Sequence, residues 1–224
     1  MGSGGREIAR VKRSKEEARA AYDRLSRWYD LFSEPSERAP RAAGLRLLAV
    51  QPGERVLEIG FGTGHALVAL ARAVGPEGQV HGVDISPGMR EIAARRLSRA
   101  GLAPWVALHC GDAASLSFPD ASVDAVFMSF SLELFDTPDI PAVLGVCARV
   151  LRPGGRIAVV SMSADGGPSA MRRWYLWAHE RFPRLVDCRP IFAEGALREA
   201  GFQVVTRRMM RMWGLPVAAV VARR

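Results

Sequence analysis

Val56-Leu57-Glu58-Ile59-Gly60-Phe61-Gly62-Thr63-Gly64 decides how the rest of the chain is read. Its first half is an aliphatic, β-branched run suited to a buried strand. Its second half alternates glycine, so the backbone can turn tightly and come close to a ligand. His65-Ala66-Leu67-Val68-Ala69-Leu70-Ala71 follows at once and closes at Gly75-Pro76, which predicts a helix whose first amides point back into the turn. A strand, a glycine turn and a helix N-terminus in that order make a nucleotide site at a strand's carboxyl end.

Glycine register narrows the nucleotide. The dinucleotide fingerprint G-x-G-x-x-G fails from Gly60, where the third glycine would fall on His65, and from Gly62, where it would fall on Leu67. Glu58 sets a carboxylate where it would repel a pyrophosphate and attract a cation. Further on, Gln79-Val80-His81-Gly82-Val83-Asp84 reads as a second strand, and its terminal acid suits the two hydroxyls of a ribose. An NAD-type oxidoreductase is therefore disfavoured.

Together, Glu58 to Gly64, Asp84, the Gly111-Asp112-Ala113 step and Leu151-Arg152-Pro153-Gly154-Gly155 resemble the class I S-adenosylmethionine-dependent methyltransferases, whose first motif reads (D/E)-x-G-x-G-x-G. Within that family the look is nearest to the quinone-biosynthesis C-methyltransferases and the small phospholipid N-methyltransferases. The resemblance covers Tyr22 to about Gly155 well and the remainder loosely. It implies a Rossmann-like α/β fold, a mostly parallel seven-stranded sheet with helices on both faces and a C-terminal antiparallel hairpin. It also implies S-adenosyl-L-methionine as cofactor, held by Tyr29, Glu58, Gly60, Gly62, Gly64, His65, Asp84, Ile85, Met89, Gly111, Asp112, Ala113 and Ser129. Asp112 stands where the family bonds the adenine amino group, and its other reading is a plain turn aspartate. Tyr29 belongs to a stretch, Tyr22 to Asp30, resembling the family's N-terminal "YD" signature, in which a tyrosine covers the cofactor. Its other reading is a core aromatic at helical spacing.

Methyl transfer from a sulfonium needs alignment and desolvation more than a metal or a covalent intermediate. A carbon or phenol acceptor gains from a base. His65 at a helix N-terminus is disfavoured as an imidazolium and is one candidate, although its position also suits a cofactor contact. Tyr22, Tyr29 and Glu133 are the other catalytic candidates, and the residues do not choose among them.

The chain has 224 residues, 49% apolar and 24% charged, enough for one domain with a real core. Residues 1–5 read as a flexible tail, 6–50 as a helical cover and 51–224 as the methyltransferase core, with 164–190 as a substrate lid. The lid stretch carries Trp174, Tyr175, Trp177 and Phe182 among arginines, which also fits a surface helix packed on the sheet. Further elements are expected at 7–31 and 41–50 (helices), from Ser86-Pro87 to Gly101 (helix), 106–110 and 123–129 (strands) and 138–151 (helix). A turn at 153–155 then leads to a strand at 156–162, a helix at 191–201 and a final hairpin. Arg90, Glu91, Arg95 and Arg96 read as the solvated face of their helix, and Met209, Met210 and Met212 as packing.

Net charge is +8, and it is uneven: residues 1–27 carry +4 and residues 171–224 carry +7, leaving 28–170 at −3. A slightly acidic centre suits a sulfonium, while basic ends suit an anionic membrane surface; high arginine usage alone is the competing explanation. The expected partners are thus a small lipophilic substrate and an anionic membrane surface. Nucleic acid is not expected, because Ser129-Phe130-Ser131-Leu132 stands where base N-methyltransferases show an (N/D/S)-P-P-(Y/F/W) stretch. Cys110, Cys147 and Cys188 have no metal-type spacing and cannot all pair, which points to reduced thiols in the cytoplasm. No membrane span, leader or metal site is expected, and the oligomeric state is left open.

Overall fold

The computed structural model describes residues 16, 17, 19, 20, 23, 34–115, 117–165 and 189–224. Five helices and seven strands are placed among them: α1 Glu34–Leu48, β1 Arg55–Ile59, α2 His65–Val74, β2 Gln79–Asp84, α3 Pro87–Arg99, β3 Val106–Cys110, β4 Val123–Ser129, α4 Ile140–Val150, β5 Leu151–Met162, α5 Ala193–Glu199, β6 Gln203–Met212 and β7 Leu215–Arg223. The expected 7–31 helix and the aromatic stretch at 169–184 lie outside the described residues, apart from Glu16, Glu17, Arg19, Ala20 and Asp23, which are helical.

The strands form one sheet in the order β3-β2-β1-β4-β5-β7-β6. Pairing is parallel from β3 through β5 and antiparallel from β5 to β7 and β7 to β6. Strand order reverses between β1 and β4, so the crevice above their carboxyl ends is where a ligand enters an open sheet of this kind. Each face of the sheet carries its own apolar layer. Leu67, Leu70 and Ala71 of α2, Met89 and Ala93 of α3 and Leu48 of α1 meet Phe127 and Val160 on one side. Val143, Leu144 and Cys147 of α4 and Leu197 of α5 meet Leu57, Val126 and Val159 on the other. Burial pushes the Cys147 thiol up to about 12, so it is an inert core side chain.

Four boundaries differ from the sequence expectation, each for a local reason. Helix α1 begins at Glu34, seven residues before the expected start at Arg41, and runs through Pro40. An interior proline costs a helix on the order of 3 kcal/mol. Here Pro40 is buried against the fold, and Arg41 reaches back to Glu34 with contacts of 2.6 and 2.8 Å, pinning the first two turns. The Pro153-Gly154-Gly155 turn is absorbed into β5 as an irregularity between the Val123–Leu151 and Ala125–Arg156 pairs, with Gly154 at φ +76°. Helix α4 starts at Ile140, after a turn at Asp136–Asp139. Ile191 is not helical but bridges to Ser163.

Helix α1 lies across β4, β5 and β7, and the crossing is tightest at Gly44. A β-carbon there would stand 2.3 Å from Val160 Cγ2 and 3.2 Å from Phe127 Cε2. At the helix's far end Arg156 donates to the carbonyls of Leu48 and Ala49 at 2.6 and 2.9 Å, a cation on the terminal carbonyls where the helix dipole favours one. Gly44→Leu should therefore lift α1 from the sheet and cost about 1–3 kcal/mol. Urea denaturation of the variant measures this, and an unchanged midpoint would mean that α1 is not packed as described.

Candidate active site

The three glycines of the turn after β1 all lie at positive φ, +73°, +51° and +85°, yet each is glycine for its own reason. A β-carbon on Gly60 would stand 2.4 Å from Ser131 Cβ, so Gly60 admits the loop after β4. One on Gly64 would meet Ala93 Cβ at 2.8 Å, so Gly64 seats α3 against the N-terminus of α2. One on Gly62 would meet nothing within 4 Å, because Gly62 borders the cleft itself. Gly64 accordingly supports the turn from beneath and does not line the cleft, a correction to its expected ligand contact.

Asp84, at the end of β2, accepts Gly62 N–H on Oδ2 and Ser86 N–H on Oδ1, both at 2.9 Å. Burial raises its pKa, and the backbone donors and the nearby Asp23 pull it down and up respectively. Each carboxylate oxygen has a second acceptor site, so Asp84 can hold the turn and still take the hydroxyls of a diol. Ser86 caps α3 by accepting Met89 N–H at 3.1 Å, and it donates to Asp23 Oδ1 at 2.5 Å. Asp23 also accepts Gly88 N–H at 3.0 Å, which brings the N-terminal helical residues to the rim beside Asp84. Arg96, expected on a solvated face, instead donates to Thr63 O at 2.7 Å and Oγ1 at 3.1 Å and clamps the glycine turn from α3.

Glu58, one residue before the end of β1, is 2% exposed, and its Oε2 has no hydrogen-bond partner. Burial holds its carboxyl well above the usual range, the Arg41 charge opposes this and Asp84 adds to it. Ser129 Oγ, at the end of β4, is likewise buried without a partner. Both residues line the cleft, along with Gly60, Gly62, His65, Asp84, Ile85, Met89, Gly111, Asp112 and Ala113. Asp112 Oδ1 accepts Ala114 N–H at 3.0 Å, so it shapes a turn, and it also lines the cleft. An orphaned carboxylate oxygen, a diol-ready acid and an open glycine at one crevice fit a nucleoside that carries positive charge.

Of the four catalytic candidates, Tyr22 and Tyr29 lie outside the described residues. His65 opens α2 and lines the cleft, its Nε2 3.3 Å from Glu34 Oε2, while Glu34 is held by Arg41. Glu133 is corrected: it is fully buried, does not line the cleft, and accepts Met162 N–H on Oε1 at 3.1 Å. Beside it Arg189, 1% exposed, donates through Nε to Glu133 O at 3.1 Å, through Nη1 to Thr137 Oγ1 at 2.8 Å and through Nη2 to Phe135 O. This buried cation braces the cleft wall made by Leu134, Phe135, Asp136 and Asp139.

Sequence reasoning missed Glu34, Arg41 and Arg189, while Phe130, expected to enter the cleft at the end of the fourth strand, lines it. The Glu34-Pro35 pair was an available helix-start signal. Phe130 is buried at φ +52° on the cleft, its N–H bonded to Val160 O at 2.8 Å. A bulky residue in that conformation marks a site where the surroundings impose strain, and no local pattern announces it.

A family model described as a methyltransferase domain matches residues 56–155. Nocamycin O-methyltransferase of Saccharothrix syringae is 34% identical over 203 residues, covering 81% of this chain and 70% of that enzyme. Demethylmenaquinone methyltransferase of Geobacillus kaustophilus is 36% identical over 154 residues, covering 69% of this chain; the chain spans 63% of that enzyme's length. Among solved structures, the cyclase SpnF superposes with a TM-score of 0.76 at 21% identity over 97% of this chain and 98% of that one, a likeness of fold alone.

Glu58 gives the site a pH signature. A raised carboxyl pKa in the folded protein means that its contribution to stability is complete at low pH and is lost as pH rises through the folded value. A bound cation favours the ionised form, so cofactor binding should release a proton and tighten with rising pH, and Glu58→Gln should flatten that dependence. Titration calorimetry in two buffers of different ionisation enthalpy measures the proton count; no release in the native protein would contradict the assignment.

Proposed function

The chain belongs to the class I S-adenosylmethionine-dependent methyltransferases, and on that premise we propose that it methylates a small lipophilic acceptor, a quinone or phenol precursor. The observation that carries this reading is the make-up of the cleft. Its glycine-turn side carries Glu58 and Asp84, while Phe130, Leu134 and Phe135 put an apolar surface beyond the end of β4 that desolvates an aromatic acceptor. The names of the demethylmenaquinone and 2-phytyl-1,4-naphtoquinone enzymes support an acceptor of this class.

When bound, S-adenosylmethionine supplies an electrophilic methyl on a sulfonium whose leaving group is a neutral thioether. The chain's own part is alignment and charge. Gly62 lets the ligand approach the backbone, Asp84 takes the ribose diol, and ionised Glu58 opposes the positive charge. The wall from Phe130 to Phe135 excludes water. A hydroxyl or ring carbon acceptor must lose a proton as it gains the methyl, and His65, oriented by Glu34 and Arg41, is the described base on the cleft. Asp23 reaches Ser86 and Gly88 on the Asp84 side of the rim, which supports the expected division into a 6–50 cover and a 51–224 core. The expected Tyr29 contact and the 164–190 lid would complete the enclosure.

A second reading is a water-soluble acceptor methylated on oxygen. What favours it is coverage: the chain spans 70% of the nocamycin enzyme against 63% of the demethylmenaquinone enzyme.

Radiolabelled methyl transfer against a total membrane lipid extract and a polar extract, followed by chromatography, separates these. Label in a quinone band is expected. A phospholipid band would instead make the protein an N-methyltransferase of the phosphatidylethanolamine type, and label confined to polar products would sink the lipophilic acceptor. His65→Gln should lower turnover by about 10²–10⁴-fold with cofactor affinity kept. Unaltered turnover would point to an amine acceptor, which needs no base.

A further inference from the structure

Strand β6 is the outer edge of the sheet, and it joins β7 through the two-residue turn Trp213-Gly214. Both turn residues have positive φ, +52° and +77°. Two-residue hairpins of this type favour Asn-Gly or Asp-Gly, because a bulky side chain rarely adopts the left-handed conformation. Trp213 nevertheless occupies that place with 64% of its surface exposed, although its neighbours Met212 and Leu215 are buried. Among the described residues no packing contact rewards an indole held outward in a strained turn, which directs attention to a partner outside the chain.

The turn's position and charge say what meets it. Val217 of β7 pairs with Met162, the last residue of β5, and Ser163 N–H donates to Pro216 O at 2.8 Å. The turn thus lies at the end of the sheet where the parallel strands terminate, the end that bears the cleft. Strand β6 contains three arginines and no acid. Arg207 is engaged by Asp165 and Glu194 at 2.8 and 3.2 Å, whereas Arg211 is exposed next to the turn and Arg208 is exposed further along β6, opposite Ala219. An amphipathic indole at the tip of a hairpin whose outer strand exposes guanidinium groups is the chemistry of a bilayer interface with anionic headgroups. A second copy adding to the β6 edge is the poorer occupant, because arginines and the irregularity between Val204 and Thr206 are features that discourage strand addition.

We propose that the Trp213-Gly214 turn, with Arg208 and Arg211, is the surface by which this protein seats on an anionic phospholipid bilayer, its cleft end toward the membrane. This deepens the lipophilic-acceptor reading, on which it rests only for the reason the protein visits a membrane. The test uses no acceptor, so the two readings fail separately.

The full chain is mixed with vesicles of phosphatidylcholine alone and of phosphatidylcholine with phosphatidylglycerol, and binding is read by sedimentation. Binding is expected only to the mixed vesicles and should weaken with salt. Arg208→Gln and Arg211→Gln should each lower it by about fivefold. Trp213→Asn is the decisive variant: asparagine suits the left-handed turn, so its melting temperature should hold or rise while vesicle binding falls several-fold. Undiminished binding by Trp213→Asn overturns the proposal, as does equal binding of the native protein to neutral vesicles. A native dimer that Trp213→Asn dissociates, with vesicle binding unaffected, would assign the turn to a second copy of the chain and overturn it as well.

Discussion

The absence of one β-carbon at Gly60 governs the carboxyl end of the sheet. It allows Ser131 to close on the turn after β1, where its hydroxyl donates to Ile59 O at 2.8 Å. That contact fuses the first and fourth strand ends, which strand order alone would leave splayed at the reversal point. The cofactor turn and the acceptor wall thereby become one rigid edge. Gly64 repeats the device towards α3, and Asp84 ties the middle of the turn to β2. A methyl donor and its acceptor must be held in line within a few tenths of an ångström for displacement to proceed well, and this shared edge gives both halves a common frame.

The cleft concentrates acid in a chain whose net charge is +8. Glu58 is buried where its ionised form is disfavoured until a cation arrives, so the empty site has a standing demand for positive charge. Arg41 moderates that demand and at the same time fixes Glu34 against His65. One guanidinium thus links the buried Glu58 carboxyl to the Glu34–His65 contact at the cleft, reaching both Glu34 oxygens through Nη2.

The fold was legible wherever a residue type has a single physical use. Alternating glycines, buried aliphatic runs and the Ser86-Pro87 helix start each located an element to within a residue or two, and the cofactor acids Glu58 and Asp84 stand at the strand ends their spacing implied. Legibility failed where long-range packing overrode local preference. Pro40 lies before the expected helix start at Arg41, yet the contact of Gly44 with Val160 and Phe127 keeps α1 whole and carries its first turns to the cleft. Glu133 reads as an acid beside the reactive centre, yet its backbone and side chain are claimed by residues 29 and 56 positions away. Arg189 gave no signal, because a buried arginine is defined by partners that no sequence window contains.

Arg189 also orders events during synthesis. The carbonyls it secures, at Glu133 and Phe135, leave the ribosome 56 and 54 residues before it does. Chains emerge from the N-terminus and fold as their parts become available, so the parallel strands and the glycine turn can assemble while the acceptor wall still lacks its brace. Until Arg189 and the strands after it have emerged, the wall from Leu134 to Asp139 lacks its brace and β5 lacks its antiparallel neighbour.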